Sequence, residues 1–292
     1  MHIATCKLCN KESELQLSHI VPKFIGKWLK QTSAAGYMRN IVNPNIRIQD
    51  LPKEYLLCKS CELKFSVWEK RFVEEIFHPY QNDVKRKFEY KSWLKKFVVS
   101  LNWRIGISRF NRNFDANHDK YPILDNTLEE WRKFLNEETK EPGHAEHHIL
   151  FIGMTNLDDF GKVATNGFNH FINMRILRSV DLATYIDSKN RLFIYTCIAG
   201  IAFVSQISPY RFEGWTNQTR IKKIGSTQTI QKNADFIFAE FISERMAIMN
   251  YLIEEKTSLK QGEIINNGVL NNLEKTLNSK SLGIMNKLGK PT

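Results

Sequence analysis

The chain has 292 residues, 42% hydrophobic and 25% charged, the composition of an ordinary folded protein and not of a low-complexity or fibrous one. Formal net charge is +11, and residues 1–104 hold most of it, with 19 Lys and Arg against 10 Asp and Glu, a net of +9. A basic first third points to a polyanionic partner such as nucleic acid.

In chain order, the first informative feature is a pair of C-x2-C sequences, Cys6-Lys-Leu-Cys9 and Cys58-Lys-Ser-Cys61, with Ser18-His19-Ile20-Val21-Pro22 between them. One such pair alone could be a redox couple. Two of them, outside any strand-then-helix redox context, match the soft thiolate set of a tetrahedral structural zinc. A metal there closes a long loop and supplies folding energy to a unit too small to stabilise itself through its own core. Residues 1–61 therefore read as an irregular zinc-held unit, with Pro44, Pro52 and Asn43 to Asn45 marking loops.

A helix is expected to start at the second cysteine pair, since Phe65, Trp68, Phe72 and Ile76 recur at helical spacing before His78-Pro79 ends the run. A second helix is expected over residues 85–110, with Trp93, Leu94, Phe97, Val98 and Leu101 on its apolar face. A third runs from Thr127 to Glu138, where Thr127 and Glu130 stand in capping-box register.

The character changes after Glu141-Pro142-Gly143. Residues 149–155, 168–177, 192–207 and 219–224 are rich in Ile, Phe, Val and Thr and read as strands of one sheet, the third split into two around Ala199-Gly200. Cys197 falls in this apolar run and reads as a core residue. The run is shorter than the ~20 residues a membrane span needs and contains Thr196, Ser205 and Gln206, so no membrane association is expected. Helices follow over 236–255 and 264–277, then a frayed tail after Ser279. Paired cysteines and an N-terminus without an apolar leader point to a reducing, cytoplasmic setting.

The string Leu17-Ser18-His19-Ile20-Val21-Pro22, with Leu56-Leu57-Cys58-Lys59-Ser60-Cys61-Glu62 at the second pair, resembles the zinc-ribboned HNH endonucleases of the ββα-metal class over about residues 6–78. The resemblance implies that His19 is a general base for water attack on a phosphodiester. It implies that Glu62 is a ligand of a catalytic Mg2+ or Mn2+, and that Cys6, Cys9, Cys58 and Cys61 hold structural Zn2+. Three positions depart from the family pattern. Ser18 stands where the family has Asp or His, Lys53 where its central Asn falls, and Glu62 where it has His. A carboxylate suits Mg2+ or Mn2+ as well as an imidazole does. Glu69, two turns along the same helix face, is a further candidate ligand, and Asn43 or Asn45 could stand in for the absent Asn.

The fold class expected is α+β: an N-terminal ββα-metal or treble-clef zinc module over 1–83, then a helical connector and a mixed sheet-and-helix domain over 84–292. The function expected is metal-dependent cleavage of nucleic acid, DNA ahead of RNA. By analogy the setting is bacterial defence or a mobile element. Lys91, Lys95 and Lys96 offer a phosphate-contacting face, and the C-terminal domain offers a surface for a protein partner. The alternatives are a non-catalytic zinc adaptor that binds nucleic acid through the same basic region, and an interaction subunit that needs a second chain. Trp28, Trp68, Trp93 and Trp103 read as core residues at helical spacing, and His144, His147 and His148 as a histidine-rich loop.

Overall fold

The computed structural model describes residues 1–108, 118–152, 176–215, 218–231 and 235–283. The chain is mixed α+β with the cysteine cluster at its N-terminal end. Strand β1 (Ile3–Thr5) and strand β2 (Glu12–His19) form a hairpin whose turn carries the first cysteine pair. Helix α1 (Lys23–Gln31) follows Pro22, which sits at the N-cap, and buries Ile25, Trp28 and Leu29. Two short strands, β3 (Met38–Arg39) and β4 (Arg47–Ile48), pair as a small hairpin around the asparagine loop. Strand β5 (Lys53–Cys58) then closes the order β1-β2-β5 in an antiparallel sheet. Helix α2 (Lys59–Phe72) starts on the second cysteine pair, as its apolar spacing requires. A knuckle in a hairpin, a strand and a helix N-terminus in that order make a treble-clef arrangement.

The helical run does not stop at His78-Pro79. A π-turn over Val73–Phe77 leads into a further turn, α3 (His78–Gln81). Pro79 falls in the first turn of that segment, where a missing N–H costs nothing. The basic start of the expected second helix is a strand, β6 (Lys87–Tyr90), whose alternating Phe88 and Tyr90 are buried. Period 2 overrides the helical reading of these four residues because a strand from the far end of the chain, Gly225–Gln228, lies beside them. Helix α4 proper is Ser92–Ile107, and Arg109 and Phe110 lie outside the described residues. Helix α5 (Tyr121–Leu135) starts six residues before Thr127. Thr127 is therefore no cap: its hydroxyl donates to the Ile123 carbonyl at 2.8 Å, inside the helix.

The second sheet is antiparallel in the order β7-β10-β9-β8, from β7 (Glu146–Phe151), β8 (Val180–Ile186), β9 (Leu192–Ile198) and β10 (Ile201–Ser208). Strands β9 and β10 turn at Ala199-Gly200, both at positive φ, as the sequence indicates. The strand expected at 168–177 lies outside the described residues up to 175, and Thr219 to Ile224 makes one bridge, Arg220 to His148. The strand there is β11 (Gly225–Gln228), paired with β6. Helices α6 (Phe236–Lys256), α7 (Leu259–Leu270) and α8 (Leu273–Leu277) follow, and a helical turn over 280–283 ends the described chain in place of a frayed tail there.

One apolar core runs from Cys6, Leu8 and Leu57 through α2 and α4 to the inner face of the second sheet. The Phe72 and Phe97 rings stack at 4.3 Å and both meet Phe203 edge-on. Helix α4 lies at the centre, and its unbroken buried run from Phe97 to Ile105 puts buried residues on every side of it. A second cluster fills the space between the outer face of the sheet and α6 around Phe193, Phe238, Phe241 and Met246. Among the described residues no helix is long and apolar enough to cross a membrane.

Candidate metal centre and the adjoining histidine

The four thiols of Cys6, Cys9, Cys58 and Cys61 converge, with all four sulfurs within 4.8 Å of one another. Cys9 Sγ and Cys58 Sγ are 3.9 Å apart. A Zn–S bond of ~2.3 Å gives a tetrahedron edge of ~3.8 Å, so the spacing fits zinc and rules out a disulfide between these two. The knuckle is held by local chemistry. Asn10 at positive φ turns the chain, its N–H reaches the Cys6 carbonyl at 2.9 Å, and the Cys6 N–H reaches the Lys11 carbonyl at 2.9 Å. The Cys58 N–H points to Cys6 Sγ at 3.3 Å. From α5, Arg132 donates to the Leu8 carbonyl at 3.0 Å and so fastens the knuckle to the rest of the protein.

Crowded thiols do not ionise alike. Burial works against charge on Cys58, but hydrogen bonds from the Ser60 hydroxyl and the Cys61 backbone outweigh it and bring the thiol down to about 6. Cys61 is pushed up, first by burial and then by its Cys58 and Cys6 neighbours, and burial also raises Cys9. A divalent cation at the centre would answer this crowding by drawing all four into the thiolate form. Among the described residues these cysteines are the one group of three or more Cys, His, Asp and Glu whose ligand atoms converge.

The cysteine clip brings the end of β2 against the start of α2. Ser18, 1% exposed, donates its hydroxyl to Glu62 Oε2 at 2.7 Å across 44 residues of sequence. His19 follows directly, pairs with Lys53 in the β2–β5 register and turns its ring to a different neighbour. Its Nε2 lies 2.9 Å from Asp50 Oδ1, and Lys53 Nζ reaches the other carboxylate oxygen at 2.5 Å. Burial opposes charge on Asp50, yet the Lys53 and His19 hydrogen bonds hold its carboxyl well below the usual range. An ionised carboxylate only accepts, so His19 Nε2 carries a proton, and in the neutral ring Nδ1 is then the nitrogen with the lone pair.

Arg104 on α4 fixes the strand end from below. Its guanidinium, 1% exposed, donates to the His19 carbonyl at 3.0 Å and to Glu69 Oε1 at 2.7 Å, and lies over the Phe65 ring. Glu69 is thereby the counter-charge of a buried arginine through one of its two carboxylate oxygens. Asn43 and Asn45 are occupied elsewhere. The Asn45 side chain donates to the Lys256 carbonyl at 2.7 Å and accepts from the Ser258 N–H at 2.9 Å, and the Asn43 side chain accepts from the Asn45 N–H at 3.2 Å. Lys95 is paired with Glu141 at 2.8 Å and Lys96 with Glu137 at 2.7 Å, so two of the three expected phosphate contacts are answered within the protein, and Lys91 is exposed.

Sequence reasoning missed Asp50 and Arg104. Arg104 had a signal: it is a lone charge in the apolar run Phe97 to Ile105, and a charge there needs a partner. Asp50 had a weaker one, being the first acidic residue after Glu14. Of the expected histidine-rich loop, His144 lies in the loop before strand β7, and His147 and His148 are in the strand itself. His147 Nδ1 is 2.8 Å from Ser205 Oγ and His148 Nδ1 is 2.9 Å from Thr219 Oγ1, both buried. Cys197 is 1% exposed, as a core thiol should be. No family model, curated protein or solved structure matches the chain.

Proposed function

We propose that the protein is a metal-dependent nuclease of the HNH type, with the zinc-held treble clef as its catalytic unit. The observation that supports this best is the 2.7 Å contact between Ser18 and Glu62, with His19 next in the chain. It joins the strand and helix positions that such a nuclease needs side by side. In this reading His19 Nδ1 takes a proton from water while Asp50 holds Nε2–H. The water oxygen forms a bond to phosphorus, and the bond to the leaving sugar oxygen breaks. Glu62 is the residue that would hold a Mg2+ or Mn2+ ion, whose chemistry is to stabilise the charge on the leaving oxygen. DNA is the preferred substrate over RNA.

A second reading, a zinc-held nucleic-acid-binding adaptor, is favoured by a different observation. One Glu62 oxygen already accepts from Ser18, and Glu69 is taken by Arg104, which leaves few free ligand oxygens on α2. The deciding experiment is nicking of supercoiled plasmid by the purified protein with Mg2+ or Mn2+, beside His19→Ala and Glu62→Ala. The nuclease reading expects nicking that both variants lose while zinc content is unchanged. Binding without nicking under every ion condition gives the adaptor reading its place.

A further inference from the structure

The insertion between the two cysteine pairs contains a long stretch without negative charge. From Leu15 to Gln49 there is no Asp or Glu, while Lys23, Lys27, Lys30, Arg39 and Arg47 all fall within it. The fold packs α1 against the β3–β4 hairpin, with Gly26 of the helix facing the Met38 and Leu51 side chains. Lys23, Lys27 and Lys30 lie at i, i+4 and i+7 on α1, with the first two exposed. Lys30 Nζ donates to the Gln49 carbonyl at 2.7 Å, one residue before Asp50, so this helix face abuts the segment that holds the His19 ring.

The β3–β4 hairpin adds an arrangement that lacks a counter-charge. Arg39 and Arg47 are directly opposite each other in the strand register. Like charges so placed repel. They stay together because the Tyr37 ring carries both, Arg47 at 4.2 Å and Arg39 at 5.0 Å from its centre, and because Arg39 donates to the Pro44 carbonyl at 2.7 Å. Among the described residues no carboxylate lies within ion-pairing distance of any of the five cations. Lys95 and Lys96 on α4 show the contrast, each being paired with a glutamate.

We propose that the exposed face of α1 and the β3–β4 hairpin form the surface that takes the sugar-phosphate backbone of a polynucleotide and delivers it to His19. The proposal rests on the nuclease reading only for what happens after docking. Lys23 and Lys27 are about 6 Å apart along the helix at 1.5 Å per residue. That is close to two nucleotide steps along one strand at about 3.4 Å of rise each. Guanidiniums fastened by Tyr37 lose little side-chain freedom on meeting a phosphate, and their planar donor edges suit its oxygens. Contacts of this kind position a strand without reading its bases, so recognition is by backbone and not by sequence.

The test is fluorescence anisotropy of labelled 20-mer duplex DNA, single-stranded DNA and duplex RNA, without added Mg2+ or Mn2+ so that binding is read apart from cleavage. The variants are the triple charge reversal Lys23→Glu, Lys27→Glu, Arg47→Glu and the milder pair Lys27→Ala, Arg47→Ala. Lys189→Glu, at an exposed lysine in the turn between β8 and β9, is the control, and zinc content and melting check that each variant folds. The triple variant should bind at least tenfold more weakly across all sequences. On duplex DNA its log affinity against log salt should be shallower by about 0.9 for each phosphate it no longer neutralises. The pair should shift the same way by a smaller factor, and Lys189→Glu should change little. Duplex DNA should be the arm that binds most tightly, and tighter binding of duplex RNA overturns DNA as the partner. Unchanged affinity and salt slope in the triple variant, or no binding by the wild-type protein at low salt, overturns the proposal. Weakened binding in the triple variant with no nicking by wild type leaves the surface standing and removes the nuclease reading. Nicking that survives the triple variant does the reverse.

Discussion

His19 Nε2 and Asp50 Oδ1 lie 2.9 Å apart, joined across 31 residues that include α1 and the β3–β4 hairpin. The pairing fixes which ring nitrogen carries the proton, because Asp50 is kept ionised by Lys53 on its other oxygen. The loop that spans the two cysteine pairs is therefore part of the site it encloses. Its far end returns to orient the residue at its start, and Arg104 holds that residue's carbonyl from the opposite side.

Replacing Asp50 with Asn removes the charge that selects the Nε2–H form. Nicking should fall by about 10²-fold, within the range a general base supplies, with zinc content unchanged and the loss in kcat more than in KM. Asp50→Glu should recover part of it. The sign of any pH effect follows from the lowered carboxyl. Its contribution to stability is complete above the ordinary value of about 4 and declines as pH falls below that. Asp50 should therefore contribute nothing to the pH–rate profile above about pH 5. A rate that is the same in Asp50→Asn and wild type would show that His19 needs no such partner.

Metal analysis of protein purified without added metal should find one zinc per chain. Chelation should release it together with loss of cooperative unfolding, because Cys6, Cys58 and Cys61 share one apolar core with Phe65 and Trp103. Structural zinc is worth on the order of 10 kcal/mol in small modules. Cys58→Ser should lose metal and solubility, and Cys197→Ser should keep both. A folded, cooperatively melting protein without metal would show that zinc does not hold this fold.

The four-cysteine cluster was legible because thiolate pairs at two-residue spacing have few other uses, and the heart of the second sheet because β-branched and aromatic runs were cut at Ala199-Gly200. Helix boundaries were less so. Residues 87–90 read as helix in a lysine-rich context, yet Phe88 and Tyr90 serve a strand whose partner, Gly225–Gln228, is far along the chain, which local spacing does not reveal. Thr127 showed a capping pattern that an earlier start at Tyr121 made redundant. Within the site, identity at Ser18, His19 and Glu62 was visible, but which side chain meets which was not. The contacts Ser18 to Glu62, His19 to Asp50 and Arg104 to Glu69 depend on how β2, α2 and α4 stack.

Arg104 joins a helix to the candidate site almost wholly out of solvent. Arg104→Met leaves the Glu69 carboxylate and the His19 carbonyl without this donor, and should cost about 3–5 kcal/mol by chemical denaturation, as breaking one side of a buried pair does. Adding Glu69→Gln should recover part of that cost, since the stranded charge is then gone. Arg104→Lys should fold better than Arg104→Met yet nick more slowly than wild type, because one ammonium bridges carbonyl and carboxylate less well than a forked guanidinium. Equal stability of Arg104→Met and wild type would show that this pair does not hold the strand end.

His147 on β7 gives the protein a predictable weakness in acid. Burial, followed by the nearby Lys95, lowers its imidazole to about 3, and burial likewise lowers His148 although Glu146 pulls the other way. His147 Nε2 has no hydrogen-bond partner, so protonation there meets no acceptor. In the unfolded chain a histidine takes its proton near about 6.5. Between that pH and about 3 the unfolded state therefore binds a proton that the folded state does not. Stability contributed by this group is complete above about 6.5 and declines as pH falls, by up to about 1.4 kcal/mol per pH unit for each such histidine. Urea denaturation across the range from neutral to mildly acidic, about pH 7 to 5, should show that decline. His147→Gln keeps a polar partner for Ser205 but cannot be protonated, so it should remove about one proton's worth of the slope while costing stability at neutral pH. If the slope over that range is the same in His147→Gln and wild type, the buried imidazole is not what limits the protein in acid.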